Sequence, residues 1–313
     1  MTFVVIFPNI ATSASLALKQ SSDKTMSKNK KTIGLIAPAG AVKKESIQEA
    51  IDICKSNGFD IVESSHLYSK DRHYSGTIQN RTNDINDFLN DDNIDIIYAA
   101  RGGSGSPMLL DKINWQLWQK TAKPLIGFSD ITALQLALYT KTGLPSLSGM
   151  GMTTHFKNNV YQKLNFDILN GKKSITQDDL KNNNIKIEKK GEFTGTLIGG
   201  CLTMITTLIG TEYLPNDENI ILIIEDVNEP LYVIERNLFH LKQIGFLDKV
   251  KGLILGKFTN KDEKIDVWNE CGYLFDNLEV AVSNFPYGHV RNSVAVPIGV
   301  KATISTSPFK LEW

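Results

Sequence analysis

Ser129 stands at a change of period. Before it, Leu125-Ile126-Gly127-Phe128 reads as a short buried strand opened by Pro124. After it, Ile131, Leu134 and Leu138 recur at helical spacing, with Ala133 and Ala137 widening that face. A serine at such a strand-to-helix turn projects its hydroxyl from the end of a sheet. The unpaired N–H groups of the first helical turn lie beside it. These are the mechanics of a nucleophile elbow. Ile131 stands where the usual signature carries glycine, and a helix N-cap built from Ser129 and Asp130 accounts for the same residues. The serine therefore needs partners before it means chemistry.

A serine hydroxyl becomes a nucleophile when a base takes its proton and an acceptor orients the base. The chain has five histidines. His66 and His73 lie in a polar loop, and His240 sits within a helix between Phe239 and Leu241; surface or packing roles suit all three. His155 follows the turn Ser148-Gly149-Met150-Gly151 and is a minor candidate. His289 follows a strand and the turn Pro286-Tyr287-Gly288, where a loop-borne base belongs. Among carboxylates, Glu225 follows five apolar residues at a strand end, and Glu229 lies four residues on; spacing leaves both open. Arg101-Gly102-Gly103-Ser104-Gly105 follows another buried strand. Glycines there let the backbone approach a ligand and aim N–H groups at it. The loop lacks the G-x-G-x-x-G spacing of a dinucleotide site and the Gly-Lys-Ser/Thr of a phosphate loop. It is a candidate anion or oxyanion cradle. Arg101, with Gly102 beside it, could bind a substrate carboxylate through its guanidinium fork, or brace the loop through backbone carbonyls.

The elements that must hold these groups alternate. Thr32–Ala37 is a strand ending in Pro38-Ala39-Gly40. Residues 44–56 are helical, with Ile47, Ala50, Ile51 and Cys54 on one face. Strand Asp60–Glu63, helix Thr77–Leu89 and strand Ile94–Ala100 follow, then the turn at Ser129. Such alternation predicts a parallel, Rossmann-like sheet covered on both faces, with the ligand crevice beyond the strands' carboxyl ends. Later, Asn219–Ile224, Val250–Leu255, Leu278–Val282, Val294–Val300 and Ala302–Ser305 read as strands, with a helix over Leu231–Leu241. The expected fold is thus α/β: an N-terminal parallel-sheet domain over 31–155 carrying Ser129, a polar connection over 156–190, and a strand-rich α/β domain over 191–313 carrying Glu225 and His289. Residues 1–30 stand apart as a disordered or targeting segment, either a poor export signal or an over-long start before Met26.

Composition narrows the function classes. Lys+Arg and Asp+Glu both number 34, which gives no reason to expect nucleic acid or an anionic membrane surface as partner. No apolar run is long enough for membrane insertion. Cys54, Cys201 and Cys271 are too few and too scattered for a disulfide framework or a zinc site.

Several stretches together resemble the LD-carboxypeptidase family of serine peptidases. They are I-G-L-I-A-P-A-G from Ile33, A-A-R-G-G-S-G from Ala99, K-P-L-I-G-F-S-D-I-T-A-L from Lys123, G-T-L-I-G-G from Gly195, I-I-E-D-V-N-E-P with I-E-R-N-L from Ile234, G-L-I-L-G-K from Gly252, and G-H-V-R-N with a later P-I-G. Their order spans about 33–297. The resemblance implies a Ser129-Glu225-His289 triad and an oxyanion hole from the N–H groups of Gly103 and Asp130. It implies a cofactor-free, cytoplasmic homodimer, or a periplasmic one if residues 1–25 export it. Members cleave the amide from meso-diaminopimelate to the terminal D-alanine of murein tetrapeptides, and a side branch cleaves peptidyl- or aminoacyl-nucleotide conjugates of the microcin C kind. A non-catalytic α/β ligand-binding protein is the reading from another class. This chain departs from the family pattern at Ser148-Gly149-Met150, at Cys201 and at Ser104, all bordering the expected substrate pocket.

Overall fold

The computed structural model describes residues 30–313 apart from 182 and 262. The expectations for residues 1–25 fall outside the described residues.

Among the described residues six strands form the first sheet, in the order Val296–Ile298, Ser146–Ser148, Leu125–Gly127, Ile96–Ala99, Lys31–Ile36, Phe59–Glu63. All neighbours are parallel except Val296–Ile298, which runs antiparallel to Ser146–Ser148. The order reverses between Lys31–Ile36 and Ile96–Ala99. The loops leaving those two strands part there, which opens a crevice at the carboxyl edge. Helices Lys44–Ser56 and Ile78–Asn90 pack their predicted apolar faces inward. Thr77 caps the second of these, accepting from the Asn80 N–H.

The helix after Ser129, Thr132–Thr142, is buried at every residue from Thr132 to Leu138. Its sequence is apolar nearly all round, as a helix covered on several sides requires. Its one long polar side chain there, Gln135, donates to Leu147 O at 2.9 Å. Thr132 Oγ1 accepts from Cys201 N–H at 3.0 Å, tying this helix to a strand of the second sheet.

Among the described residues the second sheet has nine strands. Its centre, Glu192–Cys201, Ile220–Val227, Val250–Asn260 and Val280–Ser283, is parallel. Ile220 to Ile224 are fully buried, as a strand covered on both faces should be. The strand does not stop there: Glu225 and Asp226 lie inside it, Glu225 opposite Cys201.

The expected connection has structure of its own. The 156–190 stretch holds the helix Gln162–Leu169 and two edge strands of the second sheet, Ser174–Thr176 and Lys186–Lys189. Its Lys-rich polarity, read as a connection, is that of a strand edge protected against further pairing. The C-terminal third also sends Val296–Ile298 into the first sheet, so residues 31–313 cluster as one unit. Among the described residues no helix is long and apolar enough to cross a membrane.

Candidate active site

Ser129 sits in a single 3-10 turn, Ser129–Ile131, between its strand and its helix. Its backbone is left-handed, φ +68°. That conformation costs a non-glycine residue of order 1–3 kcal/mol and persists only where the surroundings enforce it. The enforcement is local. A Cβ on Gly127 would lie 2.4 Å from Ile131 Cγ2, so glycine before the serine makes room for the isoleucine after it.

The Arg101 loop lies directly against this turn. A Cβ on Gly102 would meet Ser129 Cβ at 2.7 Å and Ser129 Oγ at 3.0 Å. Gly102 O accepts from Gly40 N–H at 3.0 Å, joining the loops that leave the first and third strands. Gly103 N–H has no protein acceptor among the described residues. The Asp130 carboxylate is buried and accepts from the N–H groups of Gly105 (3.2 Å) and Ser106 (2.8 Å), while Asp130 O accepts from Ser106 Oγ at 2.6 Å. Burial pushes this carboxyl up, against the pull of those donors. Asp130 therefore fixes the glycine loop with its side chain, beyond the role expected of its N–H. Arg101 is exposed and donates to Ala41 O at 3.0 Å, which braces the loop and leaves the rest of its fork open.

The other half of the site comes from the second sheet. His289 Nε2 lies 2.8 Å from Ser129 Oγ, and His289 Nδ1 lies 2.7 Å from Glu225 Oε2. Glu225 Oε2 also accepts from His289 N–H at 3.1 Å. With the ring proton on Nδ1, two donors converge on this one carboxylate oxygen. Glu225 Oε1 has no hydrogen-bond partner among the described residues. Burial pushes the Glu225 carboxyl up, opposed by the His289 charge. Burial disfavours imidazolium at His289, but the Glu225 charge and hydrogen bond, with the Asp226 charge, outweigh it and leave the pKa raised. Glu229, the open alternative, is absent from this chain of bonds. Asp226 points elsewhere, accepting from Thr203 N–H and Oγ1 at 2.9 and 2.8 Å.

The remaining histidines separate. His66 pairs with Asp84 at 2.8 Å, His73 packs on Tyr74, and His240 is exposed. His155, the minor candidate, is buried beside the site and bonded at both nitrogens.

Ser129, His289 and Glu225 are thus aligned beside a glycine loop. Residues 33–149 match the model of the LD-carboxypeptidase N-terminal domain, and residues 194–304 that of the C-terminal domain. The chain belongs to the LD-carboxypeptidase family. It is thereby a serine-type hydrolase acting on peptide bonds. Murein tetrapeptide carboxypeptidase of Pseudomonas aeruginosa is 27% identical, over 94% of this chain and 99% of its own length. Microcin C7 self-immunity protein MccF of Escherichia coli is 28% identical, over 87% and 90%. The crystal structure of muramoyltetrapeptide carboxypeptidase from Oxalobacter formigenes superposes with a TM-score of 0.77 at 27% identity, over 90% and 97%.

Two supports of this candidate site were not anticipated. Arg81 is 2% exposed and donates from Nη1 to Pro38 O (2.8 Å) and Gly105 O (3.0 Å), stapling the two loops from beneath. It stands four residues before buried Ile85 on the same helical face, and that spacing was the available signal. Tyr287 OH and Ser148 Oγ, 2.7 Å apart, join the His289 loop to the first sheet. Ser148 was noted as a departure from the family pattern, yet nothing in the sequence links it to Tyr287.

Proposed function

We propose that this LD-carboxypeptidase hydrolyses the amide to the terminal D-alanine of murein tetrapeptides through Ser129, His289 and Glu225. The observation that carries the reading is the continuous hydrogen-bond line from Ser129 Oγ through His289 to buried Glu225. His289 takes the serine proton as Oγ attacks the carbonyl carbon, and Glu225 holds the imidazole tautomer and stabilises the imidazolium. The N–H groups of Gly103 and Asp130 receive the oxyanion. His289 returns its proton to the leaving D-alanine nitrogen, and water then deacylates Ser129 by the same route. Arg101 binds the substrate's terminal carboxylate with the part of its fork that Ala41 does not use. The homodimer and cytoplasmic location implied by the family complete this reading.

One observation favours a second substrate class. Trp268 lines a cavity of about 240 Å³ together with Lys257 and Val290, the residue after His289. Burial pushes the Lys257 ammonium down to about 8. An indole beside an amine suits a base-and-phosphate group of a peptidyl-nucleotide conjugate. One experiment tests the mechanism and separates the substrates: the wild type and Ser129→Ala are each given a murein tetrapeptide and an aminoacyl-nucleotide conjugate. Ser129→Ala is expected to lower turnover by on the order of 10⁴-fold or more with the fold intact. Undiminished cleavage by that variant would sink the mechanism, and exclusive cleavage of the conjugate would replace the murein substrate.

A further inference from the structure

His155 is 2% exposed, and both its ring nitrogens are committed to backbone. Gly151 N–H lies 3.1 Å from Nδ1 and can only donate, so Nδ1 is the acceptor. The proton then resides on Nε2, which donates to Gly288 O at 3.0 Å. Gly288 immediately precedes His289. On its other side the His155 ring meets Phe128 edge-on, centroids 4.6 Å apart at 63°. Phe128 precedes Ser129, and its ring also lies 4.7 Å from that of His289. One buried ring therefore touches the residue before the nucleophile and holds the residue before the base. Burial, with the nearby His289 charge, pushes the His155 pKa down to about 4, despite the bond to Gly288. A protonated ring would turn a second N–H against that of Gly151.

We propose that His155 is a positioning residue of the hydrolase: as a neutral imidazole in one fixed tautomer, it sets the distance between Ser129 Oγ and His289 Nε2. The inference rests on the reading of those two residues as nucleophile and base. His155 is not a reserve base, because neither nitrogen is free and the ring is shut from solvent. Nor is it needed merely to hold the loop. Ser148 anchors Tyr287, Gly288 N–H donates to Ser293 Oγ at 3.2 Å, and Asn159 and Asn165 each donate to Ser293 O at 3.0 Å. Gly288 O also accepts from Val290 N–H at 2.8 Å within its own loop, but among these ties His155 is the side chain that bonds this carbonyl and also packs on the residue beside the nucleophile.

The test compares His155→Asn with His155→Gln in the full chain. Asparagine can still accept from Gly151 but is too short for Gly288; glutamine can reach Gly288. The primary readout is the second-order rate of Ser129 labelling by a fluorophosphonate, which requires no peptide substrate. The second is the downfield proton resonance of His289 Nδ1–H against Glu225. His155→Asn is expected to slow labelling about 10- to 100-fold, the usual cost of losing a supporting contact to a reacting group, and to broaden the resonance. His155→Gln is expected to recover most of the rate and a sharp resonance. Wild-type labelling in His155→Asn would overturn the inference, and so would equal losses in both variants, which mark simple packing. Absence of labelling in the wild-type chain would instead overturn the reading of Ser129 as nucleophile, and the inference with it.

Discussion

The two sheets furnish their shares of the site by different means. At the carboxyl edge of the first sheet the parts are backbone: a left-handed serine and a glycine loop pressed to within contact of it. Side chains there, Arg81 and Asp130, serve mainly to pin that backbone. At the carboxyl edge of the second sheet the parts are side chains: a fully buried carboxylate and an imidazole, joined at 2.7 Å. A backbone site tolerates no added atoms. A carboxylate–imidazole pair keeps its shape under isosteric replacement and depends on the carboxylate's charge. The two halves should therefore fail differently.

The largest expected effect tests the charged half. Glu225→Gln keeps the volume but removes the charge and lets an amide N–H face His289 Nδ1, which permits the wrong tautomer. A loss in kcat of about 10³- to 10⁴-fold is expected, as for loss of the orienting carboxylate in a serine triad, with the melting temperature little changed. Less than tenfold loss in steady-state kinetics would remove Glu225 from the line and reopen Glu229.

The backbone half is tested by Gly102→Ala. The new methyl would need space 2.7 Å from Ser129 Cβ and 3.0 Å from Phe128 O, so the serine or the loop must move. Overpacking of this kind costs about 1–3 kcal/mol of stability, and displacing the nucleophile costs about 100-fold in acylation. Unlike Glu225→Gln, this variant should lower the melting temperature and leave the pH profile in place. A variant with normal acylation would show that the loop yields freely and that its closeness to Ser129 is incidental.

The same division explains what the sequence disclosed. The parallel sheet, its helices and the strand–turn–helix at Ser129 were legible because buried strands and amphipathic helices have local periods. The Arg101 loop was legible because glycine runs are rare and have a backbone meaning. Glu225 against Glu229 was left open by spacing, since a strand that continues through 225–227 looks like one that ends at 224. The His155 clamp was hidden for another reason. Its contacts to Phe128 and Gly288 span 27 and 133 residues, and no local pattern records them. The strands Ser174–Thr176 and Lys186–Lys189 were hidden because edge strands are polar by necessity, and polarity reads as loop.

The smallest effect is a shift rather than a loss, and it separates burial from charge. Free-enzyme kcat/KM rises with pH as the base loses its proton, so its acid limb reports the His289 pKa. Burial alone would push that imidazole below its ordinary value of about 6.5, as it does for His155. At His289 the Glu225 charge and hydrogen bond outweigh burial. The limb in the wild type should therefore lie above about 6.5. In Glu225→Gln, whose residual activity keeps a measurable profile, the stabilising charge is gone and burial remains, so the limb should move down. A wild-type limb already below the ordinary value would mean that the carboxylate's charge is not felt at the ring. The second sheet would then contribute position alone, as the first does, and the contrast between the two halves would collapse.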